Sequence, residues 1–419
     1  MPTPMFFKTA LAAWMAGLCL GTAHAEPDEI ALGKHQAYSV SPDGRFTHEP
    51  YRVGSWSALD RVRGLRIERV AASPQPLPLA RAAASPEIRY RYRNLGYTLD
   101  EYLERQRVTG LLIMKNGEIL TERYRYGRQE DMRFLSFSMA KSVTAMLVGV
   151  AQGQGLIDLD APAERYLKAL EGSLYGQTTV RQLLRMSSGV KFTEVYNGQD
   201  DVSRLSASLQ STSPEAVLAY LRTLNERVAE PGSKFAYASA ETEVLGRVLR
   251  AVTGKTLGRL TEEWLWRPLG AEHGAFWCTA GDGQPAAYFC FNASLRDWAR
   301  LGLMLAQDGR VGDTQVVPRD FLLDGTDPAR GPASHAPLRA TPFNGYGYQF
   351  WLQPYKERTF VMQGIHGQAV FVQPATGIVM VHTAVFKGAS GALDPEAHAE
   401  RQALWQGVLQ SLGGDTRRY

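Results

Sequence analysis

The segment at residues 108–127, VTGLLIMKNGEILTERYRYG, contains two β-rich runs on either side of Asn116-Gly117, a pair typical of tight hairpin turns. An apolar stretch with helical spacing follows at 134–155, and mostly helical sequence continues to about residue 310. Three strand-like runs near the C-terminus (GYGYQFWLQ, QAVFVQPATG and IVMVHTAVF) and a helix at about 398–412 complete the chain. This order predicts an α+β fold, in which one antiparallel sheet is built from both ends of the chain and flanked by helices, with an all-helical domain inserted between them.

The first 25 residues have the pattern of a secretory signal peptide. Lys8 precedes a short apolar core, and the small residues of Ala-His-Ala stand directly before Glu26. The chain is therefore expected to be exported, with the bacterial periplasm as its location, and an uncleaved membrane anchor is the alternative. No other apolar run is long enough to cross a bilayer, so the mature chain is predicted to have no membrane span.

The remaining sequence divides into two regions. Residues 26–90 include the proline-rich stretch AASPQPLPLARAAASPEIRY and are predicted to form an extended segment on the surface. Residues 91–419 form the main domain. Its sheet is predicted at about 91–160 and 340–419, and its helical insertion at about 160–340.

The composition excludes several function classes. Hydrophobic residues make up 44% of the chain and the formal net charge is only +4, with basic residues scattered, so a nucleic-acid surface is not expected. The eight histidines are dispersed and form no His-Glu-x-x-His or His-x-His pair, so neither a metal nor another cofactor is predicted. No Gly-x-Ser-x-Gly occurs, which excludes an α/β-hydrolase.

Two cysteines remain beyond the predicted signal, Cys278 and Cys290, in FWCTAGDGQPAAYFCF. Glycines and a proline separate them, as in a hairpin-like excursion. In an oxidising compartment this spacing is compatible with a disulfide. A pair of buried free thiols is equally compatible with it.

The chain contains two Ser-x-x-Lys patterns, and their settings differ. Ser138-Met-Ala-Lys141 opens an apolar helix, where spacing i, i+3 places both side chains on one face and burial would lower the pKa of the lysine. A serine hydroxyl needs such a base before it can act as a nucleophile. Ser188-Gly-Val-Lys191 instead follows a helix end marked by Gly189, and is interpreted as a C-cap turn.

Two further pieces supply partners for a nucleophile at Ser138. Tyr237-Ala-Ser239 stands just before a helix, and a tyrosine can relay a proton to a leaving group. Gly364, His366 and Gly367 precede a strand, and glycines at a strand edge permit close approach by a substrate. A packed core tyrosine and a plain turn histidine are the alternatives.

These pieces, in this order, resemble the penicillin-recognising serine hydrolases, which include serine β-lactamases, DD-peptidases and related esterases and amidases. The three family motifs, Ser-x-x-Lys, Tyr-x-Asn or Ser-x-Asn, and Lys-Thr-Gly, appear here as Ser138-Met-Ala-Lys141, Tyr237-Ala-Ser239 and His366-Gly-Gln368. The resemblance implies a β-lactamase/transpeptidase-like fold. The Tyr-x-Ser motif together with Gly-Ile-His-Gly-Gln is most similar to the 6-aminohexanoate-dimer (nylon oligomer) hydrolase branch, whose members cleave linear amides and often short-chain esters.

The resemblance also implies roles for individual residues. Ser138 would be the acyl-enzyme nucleophile, Lys141 its general base and Tyr237 the group that protonates the leaving amine or alkoxide. The backbone N–H groups of Ser138 and Ile365 would form the oxyanion hole.

The substrate contacts implied by the resemblance are Tyr196 in FTEVYNG, Ser239, Asn292 in CFNAS, His366 and Gly367. The branch also has an acidic residue for a substrate ammonium, and Asp200 and Asp201 are the candidates here.

The expected function is therefore that of an exported serine hydrolase acting on a small ester, amide or peptide. The missing Lys-Thr-Gly, whose lysine pairs with the carboxylate of a β-lactam, argues against efficient penicillin hydrolysis. A peptidoglycan DD-peptidase or weak β-lactamase is the alternative within the fold. A catalytically idle relative that binds cell-wall peptide is the alternative from another class. Nothing in the sequence indicates the oligomeric state.

Overall fold

The structure is a computed structural model and describes residues 26–213 and 215–419. The predicted signal peptide, residues 1–25, lies outside the described residues. The strands are β1 (Ile67–Val70), β2 (Ala80–Arg81), β3 (Arg89–Tyr92), β4 (Leu95–Thr98), β5 (Val108–Lys115), β6 (Glu118–Tyr124), β7 (Phe134–Leu135), β8 (Ala275–Cys278), β9 (Phe291–Ala293), β10 (Arg310–Val311), β11 (Thr314–Gln315), β12 (Gly345–Tyr346), β13 (Trp351–Leu352), β14 (Phe360–Gln363), β15 (Ala369–Gln373) and β16 (Ile378–Ala384). The helices are α1 (Arg52–Trp56), α2 (Leu99–Arg105), α3 (Met139–Gly153), α4 (Val180–Leu184), α5 (Asp201–Gln210), α6 (Ala216–Thr223), α7 (Ser239–Thr253), α8 (Leu257–Thr261), α9 (Leu295–Ala306), α10 (Arg319–Thr326) and α11 (Pro395–Ser411).

The main sheet joins the two ends of the chain, as predicted. Its eight strands lie in the order β12-β13-β14-β15-β16-β5-β6-β2. All neighbouring pairs are antiparallel except β2 and β6. At the predicted hairpin turn between β5 and β6, Asn116 and Gly117 have φ of 51° and 84°. Two positive φ values in succession are what a type I′ turn requires, and Asn-Gly adopts them readily.

Helices cover both faces of this sheet. Leu111 and Ile113 of β5 pack into a cluster with residues of α2 and α11. Leu112 and Met114, the alternate residues, pack on the other face into the cluster that contains α3 and α9. Because both faces are buried, β5 appears in the sequence as a continuous apolar run without polar alternation.

The boundaries of the helical insertion differ from those predicted. Within residues 160–340, β8 and β9 belong to a second, four-stranded sheet of order β1-β8-β9-β7. Helix α9 packs on β15 and β16 of the main sheet. The helical layer proper therefore runs from α4 to α8. Strands β8 and β9 have only four and three residues, too few to show the period of two that indicates a strand. The pattern of α9 gave no warning either, because an amphipathic helix has the same pattern whether it packs on a sheet or on other helices.

The region before residue 67 is packed into the fold more closely than an extended surface segment. It contains α1, and Leu32, Val53, Trp56 and Leu59 are buried in a cluster with residues of β7 and β8. In the proline-rich part of residues 26–90, most residues are exposed and β2 is only two residues long. Apolar residues in short irregular turns have no regular period, so the sequence did not indicate their burial.

No helix in the described part of the chain is long and apolar enough to cross a membrane.

Gly302 of α9 provides a test of the packing between this helix and the sheet. A Cβ atom at position 302 would lie 2.5 Å from Cγ1 of Val379 on β16. Gly302→Ala should lower the free energy of unfolding by about 1–3 kcal/mol, because overpacking forces the helix off the sheet. Urea denaturation measures the change. Gly96→Ala is the matched control, since a Cβ there meets no atom within 4 Å. Equal stability of the two variants would contradict the packing described for α9.

Candidate active site

Ser138 is held at the point where β7 passes into α3. It is the residue before Met139, the first residue of the helix, and Phe137 in front of it has a φ of 43°. The Ser136 hydroxyl donates to the Phe137 carbonyl at 2.8 Å and accepts from the Phe291 N–H at 2.9 Å. These hydrogen bonds connect the segment just before α3 to β9. The Ser138 side chain is therefore presented at the positive end of a buried helix.

Lys141 lies beside Ser138, as the spacing predicted. Its side chain is buried, with 1% of the residue exposed, and Nζ donates to Ser138 Oγ at 2.8 Å and to the Tyr288 carbonyl at 2.9 Å. Among the described residues, no carboxylate oxygen lies within 4.0 Å of this nitrogen. Burial lowers the pKa of Lys141 to about 8, although the charge of Glu194 acts in the opposite direction. A large fraction of this lysine is therefore neutral at mildly alkaline pH.

Tyr237 completes a three-residue cluster. Its ring lies 5.0 Å from Lys141 Nζ. The ring is fixed by stacking on Trp351, with centroids 5.5 Å apart. Burial raises the pKa of Tyr237 well above its usual value, and the charge of Glu194 raises it further, whereas the neighbouring Ser138 side chain lowers it. The hydroxyl is thus held as a neutral phenol that can donate a proton.

The turn between β14 and β15 faces the same site. A Cβ atom on Gly364 would lie 2.2 Å from the Ser136 carbonyl oxygen, so only glycine permits this approach. Ile365, the next residue, lines a cavity together with Ser138. In the part of the chain that the structure describes, the N–H groups of Ser138 and Ile365 have no hydrogen-bond acceptor. Two free N–H groups facing one cavity can bind an oxyanion.

Glu194 is a site residue that the sequence analysis did not identify. Its carboxylate accepts from the N–H and the hydroxyl of Ser239, both at 2.9 Å, and from the Tyr196 hydroxyl at 3.0 Å. It is the one charged side chain among the described residues that line the cavity. Its place two residues before Tyr196 in FTEVYNG is the signal that could have indicated it.

The cavity has a volume of about 390 Å³, within the range of small-ligand sites. Its walls are mainly apolar or hydroxyl-bearing. Of the predicted substrate contacts, Tyr196 and Ser239 line it. Both are held by Glu194, which fixes their orientation.

The other predicted substrate contacts lie elsewhere. His366 has a φ of 58°, its Nδ1 is 2.8 Å from the Phe386 carbonyl oxygen, and its ring packs on Trp56. Burial lowers its pKa to about 4, so it is neutral. Gly367, with a φ of 97°, lies against Phe386, where a Cβ would be 2.9 Å from the ring. Both residues shape the turn, and neither lines the cavity.

Asn292 is also not placed as predicted. It is fully buried in β9, where Nδ2 donates to the Cys290 carbonyl at 3.3 Å. Asn292 does not line the cavity with Ser138.

The acidic candidates for a substrate ammonium have structural roles. Asp200 is the N-cap of α5 and accepts from the N–H groups of Val195 and Tyr196, both at 2.7 Å. Asp201 accepts from the N–H and the hydroxyl of Thr193. Neither lines the cavity. The two aspartates instead hold the loop that places Glu194 there.

The second Ser-x-x-Lys pattern is not a site. The Ser188 hydroxyl donates to buried Glu241 at 2.6 Å, whereas Lys191 pairs with Glu226 at the surface. The two cysteines are joined: the structure has a disulfide between Cys278 and Cys290, with Cα atoms 5.5 Å apart. Within residues 26–213 and 215–419, no group of His, Cys, Asp and Glu side chains could hold a metal ion.

The comparisons with known proteins agree with this geometry. Residues 97–403 match the Beta-lactamase family. The chain is 28% identical over 296 residues to the 6-aminohexanoate-dimer hydrolase of Paenarthrobacter ureafaciens, covering 68% of this chain and 74% of that protein. It is 29% identical over 241 residues to Esterase EstB of Burkholderia gladioli, covering 51% of this chain and 60% of that protein.

A solved structure from Bacillus anthracis, provisionally described as a 6-aminohexanoate-dimer hydrolase, superimposes with a TM-score of 0.75 at 22% identity. The match covers 90% of this chain and 100% of that one. This likeness confirms the predicted β-lactamase/transpeptidase-like fold. Since the family match spans most of the chain and includes the Ser138, Lys141 and Tyr237 cluster, the protein belongs to the Beta-lactamase family and is a hydrolase of that family.

Proposed function

We propose that the chain is an exported serine hydrolase that cleaves small linear amides or carboxylic esters through an acyl-enzyme on Ser138. The observation that carries the proposal is the 2.8 Å contact between buried Lys141 Nζ and Ser138 Oγ. The relatives that are described as a 6-aminohexanoate-dimer hydrolase and as an esterase support amide and ester substrates. Export rests on the signal pattern of residues 1–25.

In the acylation step, neutral Lys141 takes the hydroxyl proton of Ser138 while Oγ attacks the carbonyl carbon. The carbonyl oxygen becomes an oxyanion and accepts hydrogen bonds from the N–H groups of Ser138 and Ile365. Tyr237 gives its proton to the leaving nitrogen or oxygen, and the carbon–heteroatom bond breaks. The amine or alcohol departs and the acyl group stays on Ser138.

In deacylation the Tyr237 phenolate takes a proton from a water molecule, which attacks the acyl carbonyl. Ser138 Oγ leaves with the proton held by Lys141, so both groups return to their starting protonation states. The carboxylic acid is released. Glu194 contributes by fixing Ser239 and Tyr196 along the wall and by stabilising the ammonium form of Lys141 that arises in acylation.

The nucleophile is tested by labelling with a fluorophosphonate. Ser138→Ala should abolish labelling and lower turnover of p-nitrophenyl acetate and of a short linear amide by about a thousandfold or more, because no other group can carry the acyl chain. Ser188→Ala, the serine of the second pattern, should keep its label. Labelling that survives Ser138→Ala sinks the assignment, and nitrocefin turnover faster than ester turnover would replace it with a β-lactamase.

The pH dependence tests Lys141 as the base. Since the lysine acts in its neutral form, kcat/KM should rise with pH through a pKa of about 8. Glu194→Gln removes a charge that raises the pKa of Lys141, so this limb should move to lower pH by about half a unit. Glu226→Gln, which removes a surface carboxylate paired with Lys191, should leave the profile unchanged. A limb that moves to higher pH in Glu194→Gln would contradict the electrostatics described.

The buried cation should also lower the stability of the fold. At pH 7 Lys141→Met should be at least as stable as the wild type, because the variant buries no charge. The pKa of Lys141 is lowered from 10.5 to about 8, so between these values the unfolded wild type holds a proton that the folded wild type has released. Wild-type stability therefore rises with pH across this window relative to the variant, and any advantage of the variant shrinks.

Urea unfolding at pH 7 and above pH 9 measures both quantities. Lys191→Met is the matched control, since Lys191 is exposed and paired with Glu226. A difference between wild type and Lys141→Met that does not change with pH would show that Lys141 is not desolvated.

A further inference from the structure

A second chamber adjoins the cavity that contains Ser138. It has a volume of about 430 Å³, and both chambers share Phe46, Ser206, Gln210 and Phe289 as lining residues. These four residues form a wall that the two chambers share. The second chamber therefore lies directly beside the cavity that contains Ser138, and the two chambers together are called the cleft.

The walls of the second chamber are largely apolar. Leu59 and Leu65 come from the region before β1, Leu135 from β7 and Leu209 from α5, and the Cys278–Cys290 disulfide also lines it. This is a surface that fits a methylene chain, because burying apolar atoms there removes them from water without leaving polar groups unpaired. The packed N-terminal region thus forms part of a binding surface.

Two guanidinium groups lie in the same chamber. Arg63 and Arg66 both line it, and Arg66 Nη1 donates to the Gly281 carbonyl at 3.2 Å. Across the described residues, neither arginine has a carboxylate oxygen within 4.0 Å. An arginine without an acidic partner beside an apolar chamber can bind the carboxylate of a ligand. The chamber with Ser138 has the opposite charge, that of Glu194.

The wall shared by the two chambers includes Ser206 and Phe289. The Ser206 hydroxyl is 2.9 Å from the Tyr288 hydroxyl. Tyr237, which protonates the leaving group in the proposed mechanism, packs instead on Trp351 and Tyr346, and none of these three residues lines the chamber. The residues around the proposed leaving-group acid are therefore different from those that line the second chamber, which supports assigning the chamber to the acyl group.

We propose that the enzyme prefers acyl groups that are extended and end in a carboxylate, that is, monoesters or monoamides of linear dicarboxylic acids. The methylene chain occupies the second chamber and the distal carboxylate binds Arg63 and Arg66. This inference rests on the proposed function. Hydrolysis of such a substrate consumes one water and releases the dicarboxylic acid and the alcohol or amine.

Substrates with a common leaving group test the acyl side directly. The mature enzyme is assayed with p-nitrophenyl acetate, p-nitrophenyl octanoate and mono-p-nitrophenyl suberate. We expect kcat/KM to be highest for the suberate monoester and lowest for the acetate. Turnover of the acetate that equals or exceeds turnover of both longer esters overturns the inference and leaves the proposed function intact.

Charge reversal separates the arginines from the apolar walls. Arg63→Glu and Arg66→Glu should each lower kcat/KM for the suberate monoester by about fivefold, the size measured for exposed ion pairs, with little effect on octanoate or acetate. Arg91→Glu makes the same change of charge at an exposed position on β3, away from the cleft, and should have no such effect. A loss in Arg91→Glu that matches the other two overturns the assignment.

A binding measurement does not depend on turnover. Monomethyl suberate is titrated into Ser138→Ala protein by calorimetry, with and without Arg66→Glu. Binding that weakens about fivefold with the second substitution supports the carboxylate site. Equal binding, or none, contradicts it even if the enzyme proves to be a poor esterase.

Discussion

The contact between Lys141 and Ser138 depends on burial more than on proximity. A lysine three residues after a serine at the start of a helix lies near it in any protein, but on an exposed helix the amine would be protonated. Here α3 lies between the main sheet and the helical layer, and the surrounding apolar residues lower the pKa of the amine. The burial of α3 on both sides is therefore needed for Lys141 to act as a base. On a less buried helix the same lysine would stay protonated.

The charge of Glu194 sets a limit on that effect. A buried lysine without any anion nearby would lose its proton so readily that it could not hold the proton taken from Ser138. Glu194 raises the pKa of Lys141 and also that of Tyr237, so that one group accepts a proton and the other keeps one. The same carboxylate accepts hydrogen bonds from Tyr196 and Ser239. A single side chain therefore orients two residues of the cavity wall and also shifts the pKa values of Lys141 and Tyr237.

The placement of residues that depends on local helix spacing or on strand patterns was predicted well. The Ser138 and Lys141 pair follows from helical spacing, and the sheet built from both chain ends follows from the strand-like runs and the Asn116-Gly117 turn. Residues whose role depends on a side-chain direction were predicted poorly. His366 lies in the predicted turn, but its ring packs on Trp56 and does not line the cavity. Its positive φ could not be predicted from the sequence pattern. Glu194 was missed because its partners are distant in sequence or hidden in an irregular loop.

The order of the elements along the chain has a consequence for how the enzyme is made. The helix with Ser138 is translated early, whereas the turn with Ile365 follows more than two hundred residues later and β16 must pair with β5 before that turn is fixed. Pairings of such long range form late in folding. In the proposed mechanism, a nascent chain therefore carries its serine and lysine without the N–H group of Ile365 and has no complete site until its last strands have emerged.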